Sequence, residues 1–277
     1  MRYRVPLAVS AIVLVSAPAF AGVVVSSTHT VVDTKKSDPV MAYFEADRMK
    51  IAMPDTTVIY RGDLNKLWIV SPAKKTYVEM TAEGMKAMGG QMQAAQATMS
   101  AAQAQMQAQL SKLPPEQRAM IEKQLAAQGI NPAGAPPANA RPASTYVKAG
   151  PGKTVASGRC DVYSRMDGPT KAAELCIAPI GAVGLTAADF KVLDSLTAFV
   201  APVVASPLTP KSDFMNFNDM SKAIGFQGIP LETTTYSSGK PSMQDTVQKV
   251  EHSAIPTASF ELPPGLTKQN LPLMGGR

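Results

Sequence analysis

The chain has 277 residues, with 27 basic and 21 acidic side chains and a formal charge of +6. That length suits one large domain or two small ones. The basic excess is scattered in short runs such as Lys35-Lys36 and Lys74-Lys75, which argues against the dense basic stripe of a nucleic-acid binder.

Residues 1–21 read as a secretory signal peptide. Arg2 and Arg4 supply the positive start, and Val5–Ala17 is an apolar run too short to span a bilayer. Ala19-Phe20-Ala21 is a small-x-small cleavage site, so Gly22 is the expected mature N-terminus. Loss of Arg2 and Arg4 from 27 basic residues leaves 25 against 21 acidic, a formal +4. No Cys stands at the cleavage point, which excludes lipid attachment there, and no later stretch is apolar enough to cross a membrane. The expectation is an exported protein of the bacterial periplasm.

Val23-Val24-Val25 and Val31-Val32 predict a first strand over 22–33. Over 40–46, Ala42, Phe44 and Ala46 alternate with Met41, Tyr43 and Glu45, the period of a strand with one face buried. Asp47-Arg48 turns the chain, and Met49, Ile51 and Met53 repeat the alternation as far as Pro54. Residues 56–81 then hold three short runs rich in β-branched and aromatic residues, separated by turns at 62–66 and 72–75. They predict an antiparallel meander.

Composition changes after Thr81. Residues 82–112 are almost entirely Ala, Gln, Met and Lys, which favours helix. Met85, Met92, Met99 and Met106 recur every seven residues, with Met88 at an intervening position, and form an apolar seam. Pro114-Pro115 ends this helix and opens a second over 115–128, which Gly129 stops. Residues 82–129 are thus an inserted helical hairpin, followed by a Pro/Ala linker at 130–141.

Strands resume at 144–148 and continue into a hairpin bearing both cysteines. In an oxidising compartment Cys160 and Cys176 predict one disulfide. They lie symmetrically about Gly168, so a three-residue loop at 167–169 would set them directly opposite each other, with Arg165 facing Lys171. Closing this loop stabilises by roughly 3 kcal/mol in the chain-entropy account. Thr186 and Asp189 form a capping box. It opens a helix whose Phe190, Leu193, Leu196, Phe199 and Val200 form an apolar stripe that lies across the sheet, with Pro202 as its limit. A short helix over 211–223, strands at 230–237, 242–251 and 255–262, and a loose tail at 271–277 complete the chain.

The β segments flank the helical insertion. The reading is therefore one discontinuous α+β domain over 22–81 and 142–270, a curved antiparallel sheet with a covering helix and the inserted hairpin.

Arg61-Gly62-Asp63, Lys66-Leu67-Trp68, Lys74-Lys75-Thr76-Tyr77, Pro114-Pro115-Glu116-Gln117-Arg118 and Phe260-Glu261-Leu262-Pro263-Pro264-Gly265 together resemble a bacterial envelope family filed as domain of unknown function 4412. The resemblance spans most of the chain after the signal peptide. It implies a fold similar to that of periplasmic lipoprotein carriers, an open half-barrel of antiparallel strands around helices with a hydrophobic concavity.

Three functional expectations follow. The first is an exported binding protein for a lipid or acyl chain, with Phe44, Tyr60, Trp68 and Tyr77 lining the sheet. The second is an interaction or structural protein that meets a partner, or its own copy, through residues 82–128, since methionine suits adaptable surfaces. The third is Cu(I) binding by Met85, Met88 and Met92, because thioethers are soft ligands. No Gly-x-Ser-x-Gly, His-Glu-x-x-His or phosphate-cradling loop occurs, so an enzyme is not expected and no catalytic residue, metal site or cofactor is assigned.

Overall fold

The structure, a computed structural model, describes residues 22–127, 144–204 and 217–270. The expected signal peptide, linker and tail lie outside the described residues, as does the first part of the helix expected over 211–223. The first six strands are β1 (Gly22–Val31), β2 (Lys36–Phe44), β3 (Arg48–Ala52), β4 (Thr57–Arg61), β5 (Lys66–Ser71) and β6 (Thr76–Thr81). Two helices follow, α1 (Ala82–Leu110) and α2 (Pro115–Ala127). Next come β7 (Ser144–Val155), β8 (Gly158–Asp167), β9 (Thr170–Pro179), α3 (Lys191–Val204) and α4 (Phe217–Ile224). The last strands are β10 (Gly228–Ser237), β11 (Lys240–Ser253) and β12 (Thr267–Gln269).

All twelve strands share one open sheet, in the order β12-β6-β5-β4-β3-β2-β1-β11-β10-β9-β8-β7. Its neighbours are antiparallel except β12 and β6, which run parallel. Strands from before and after the helical hairpin meet where β1 pairs with β11, from Gly22 opposite Ser253 to Val31 opposite Met243. The class is thus α+β, built on a large unclosed antiparallel sheet.

Period-two alternation gives this sheet two buried faces. On one, Val23, Phe44, Met49, Tyr60, Cys176 and Leu231 lie beneath α3 and the first turns of α1. On the other, α4 covers Tyr163, Leu175 and Ile177 at the β7 end. Phe260 covers Ile59, Trp68 and Val70 at the β6 end. The capping box forms as expected, with the Asp189 carboxylate accepting the N–H and O–H of Thr186. A 3-10 turn over Ala187–Phe190 leads into α3. Pro202 does not stop this helix, which is described through Val204.

Two further expectations are corrected. Cys160 and Cys176 do form the disulfide, with Cα atoms 5.2 Å apart, but they are not directly opposite. The hairpin turns at Gly168-Pro169, with Gly168 at φ 61°, and a bulge between Arg165 and Met166 shifts the register. Cys176 therefore faces Val162, the disulfide runs diagonally across β8 and β9, and Arg165 faces Ala173 instead of Lys171. Second, residues 255–262 are not a strand. Pro256, Pro263 and Pro264 lack the N–H a ladder needs. The segment instead makes a 3-10 turn at Thr257–Phe260, which plants Phe260 on the sheet.

Candidate functional site

The four aromatic residues expected to line one ligand surface divide between the two faces. Tyr60 faces Leu67 across the ladder, which places Trp68, paired with Ile59, on the opposite side. Phe44 and Tyr60 point toward the helices and are already occupied there. The Phe44 ring meets Phe190 edge-on at 5.9 Å, and Tyr60 meets Phe199 at 5.4 Å. Trp68 and Tyr77 lie on the other face, in the cluster around Phe260. The face beneath α3 is a packed core at these residues, and alternation along single strands could not reveal that.

Four of the motifs singled out in the sequence, 61–63, 66–68, 74–77 and 260–265, come together at the β6 end, whereas 114–118 lies at the start of α2. The Arg61 guanidinium grips Asp63 with two donors, Nε to Oδ1 at 2.8 Å and Nη2 to Oδ2 at 2.6 Å. Its third donor reaches Glu261, beside Phe260. These contacts raise the Arg61 pKa further, the Asp63 hydrogen bond most and Glu261 next, against the opposing effect of burial. Trp68 Nε1 donates to Glu79 Oε2 at 2.9 Å, and Lys268 Nζ donates to Glu79 Oε1 at 2.7 Å. Lys268 first, then Trp68, pulls the Glu79 carboxyl down to about 2. Thr267 N–H donates to the Lys75 carbonyl at the tip of the β5–β6 turn. These residues form a clasp that fixes the C-terminal segment on the sheet, and every charged group named has a partner.

A cleft of about 930 Å³ opens on the other side, where the β2–β3 turn approaches the start of α3. Phe44, Ala46 and Ala188 supply its apolar wall, and Gly22 also lines it. Five carboxylates, Glu45, Asp47, Asp63, Asp189 and Asp194, face it against the cations Arg48 and Lys191. Arg48 Nε pairs with Glu45 at 2.9 Å and with Asp47 at 3.3 Å. Burial opposes ionisation of Asp189, but Thr186, followed by His252, outweighs it and holds that carboxyl below the ordinary range. No cluster of three or more His, Cys, Asp or Glu suited to a metal occurs among the described residues.

Helix α1 has a rooted half and an exposed half. Thr81 Oγ1 caps α1 by accepting from Gly84 N–H at 3.1 Å. Met85 is 4% exposed and sits in the core, and Met88 packs against it. Gly89 lies so close to α3 that a Cβ would stand 2.3 Å from the Pro202 carbonyl oxygen, whereas nothing lies within 4 Å of a Cβ at Gly90. Past that point most α1 side chains are exposed. Met92 and Met106 are half-buried, and Met99 is 59% exposed. In α2, Met120 is 71% exposed. The stretch from Gln91 to Ser111 contains no charged residue. Two of the three methionines expected as soft metal ligands, Met85 and Met88, are therefore engaged in packing.

No family model matches this chain, and no curated protein matches it. Among solved structures it is similar to an uncharacterized conserved protein from Thermus thermophilus, at TM-score 0.42 and 8% identity, with 91% of each chain covered. Among the described residues no helix is long and apolar enough to cross a membrane.

Proposed function

We propose that the protein is a non-enzymatic binding protein of the bacterial envelope that engages a protein partner through the exposed half of its helical hairpin. One observation carries this reading: Gln91–Ser111 is an uncharged, largely exposed helical stretch rooted by the Gly89–Pro202 contact. A solvated helix is ordinarily held by charged pairs at i,i+4. This one has none, and it presents flexible methionines where those pairs would stand. At 1.5 Å per residue the stretch is roughly 30 Å long, enough for a helix-in-groove contact. The sheet and its disulfide then serve as a rigid mount. The test replaces Met92, Met99 and Met106 with lysine, which preserves helix propensity. It compares sedimentation and photo-crosslinking from Gln105 with those of the parent. Loss of a discrete adduct or of self-association supports the reading. An identical profile in the two proteins sinks it.

A lipid or acyl ligand on the face beneath α3 is the second reading, in keeping with the resemblance to periplasmic lipoprotein carriers and their curved half-barrel. The apolar wall that Phe44, Ala46 and Ala188 give the cleft is the observation in its favour. Mass spectrometry of an organic extract of the purified protein tests this. A protein that carries no lipid, and takes up none from vesicles, rules it out.

A further inference from the structure

Gly22 is enclosed in a way that its place at the start of a strand does not require. It is buried, and a Cβ built on it would stand 2.4 Å from Ile255 Cδ1, 2.7 Å from the Phe44 carbonyl oxygen and 3.1 Å from Glu45 Cγ. The Phe44 oxygen is backbone and cannot swing aside, so glycine is the residue this position accepts. Gly22 is also a wall of the cleft, where acidic side chains outnumber basic ones by five to two. Asp63 already has Arg61, and Glu45 and Asp47 share the single guanidinium of Arg48. The groups facing this wall are Glu45, Asp47 and Arg48 from the β2–β3 turn, Asp63 from the turn after β4, and Asp189, Lys191 and Asp194 from the start of α3, with His252 of β11 held by Asp189. The wall is short of positive charge.

We propose that the cleft is the seat of the processed amino terminus, so that removal of the leader supplies the cation this wall lacks. The inference rests on the reading of residues 1–21 as a signal peptide. Hydrolysis of the Ala21–Gly22 amide by an envelope peptidase consumes one water. The hydroxyl goes to the Ala21 carbonyl carbon, which leaves as a carboxylate, and the Gly22 nitrogen becomes an α-ammonium. A neutral amide at the wall is thereby replaced by a unit positive charge beside Glu45. Carboxylates lining the same cleft favour the ionised form of this amine.

Export of the full chain from a bacterial host, followed by intact-mass and N-terminal sequencing, tests the cleavage itself. Gly22 is expected as the first residue, and any other start overturns it. The seat is tested separately on the exported protein. Its α-amine, labelled by reductive methylation with 13C, is titrated by NMR and should ionise at least about one pH unit above the ordinary value near 8. Glu45→Gln should return it toward that value. A form retaining Ala21, released by an engineered protease site, should unfold at a lower temperature than the form starting at Gly22. An ordinary α-amine titration with identical unfolding temperatures overturns the seat even if cleavage falls at Gly22.

Discussion

Arg61 Nη1 donates to Glu261 Oε1 at 2.5 Å, joining residues 200 positions apart in sequence. Arg61 ends β4, and Glu261 follows the buried Phe260. Arg61→Met leaves Asp63 and Glu261 without their shared cation and loosens Phe260 from the sheet. A loss of about 2 kcal/mol is expected, the scale of hydrogen bonds to charged groups. Urea unfolding measures it. A midpoint equal to that of the parent would show that Phe260 alone holds the segment.

Glu79 gives the clasp a pH signature. Its carboxyl is depressed from 4.5 to about 2 by Lys268 and then Trp68. A depressed carboxyl contributes stability that is present above its unfolded value and lost as pH falls through the folded one. The advantage of the parent over Glu79→Gln should thus be complete above pH 4.5 and disappear as pH approaches 2. Thermal unfolding across that range checks it. Trp68 emission of the folded protein should hold steady down that range and change only as pH approaches 2, where the carboxylate that accepts its indole N–H takes up a proton. Trp68 reports on this clasp, on the sheet face opposite α3.

Two adjacent glycines should respond in opposite directions. Gly89→Ala forces a Cβ against the Pro202 carbonyl and should cost about 1–3 kcal/mol, the scale of overpacking. Gly90→Ala meets open space in mid-helix and should gain about 0.5–1 kcal/mol. Chemical unfolding of the pair decides. Equal effects would mean that α1 does not dock on α3 at this point.

Replacing Cys160 and Cys176 together with serine should cost about 3 kcal/mol, the closure entropy of a loop this size. Calorimetry of the double variant against the oxidised parent checks the figure. A reduced parent should match the variant.

Much of the fold was legible because each strand carries its own alternation. Val23 and Val25, Met49 and Ile51, and the 56–81 meander all identify buried strands before any partner is known. What one strand cannot report is which of its faces meets which neighbour. Phe44 and Trp68 looked equivalent on that basis, yet they lie on opposite sides of the sheet. The disulfide register was missed for a related reason. The bulge after Arg165 is a property of the paired strands, and counting residues about Gly168 assumes a regular ladder. The strand expected at 255–262 is instead a 3-10 turn, with Pro256 inside the segment and Pro263 and Pro264 just after it. The cleft left no local trace at all, because its lining comes from the first strand, two turns and one helix start.

β12 is three residues long and pairs with the border strand β6. It is also the last described element to be synthesised, some 190 residues after the strand it covers. Until it arrives, the outer N–H and C=O groups of β6 have no described strand partner and offer a template to any extended chain nearby. The nascent protein therefore passes through an interval in which mispairing with another copy competes with completion. Truncation just before Thr267 would make that interval permanent, and the expected symptom is aggregation of the newly made chain.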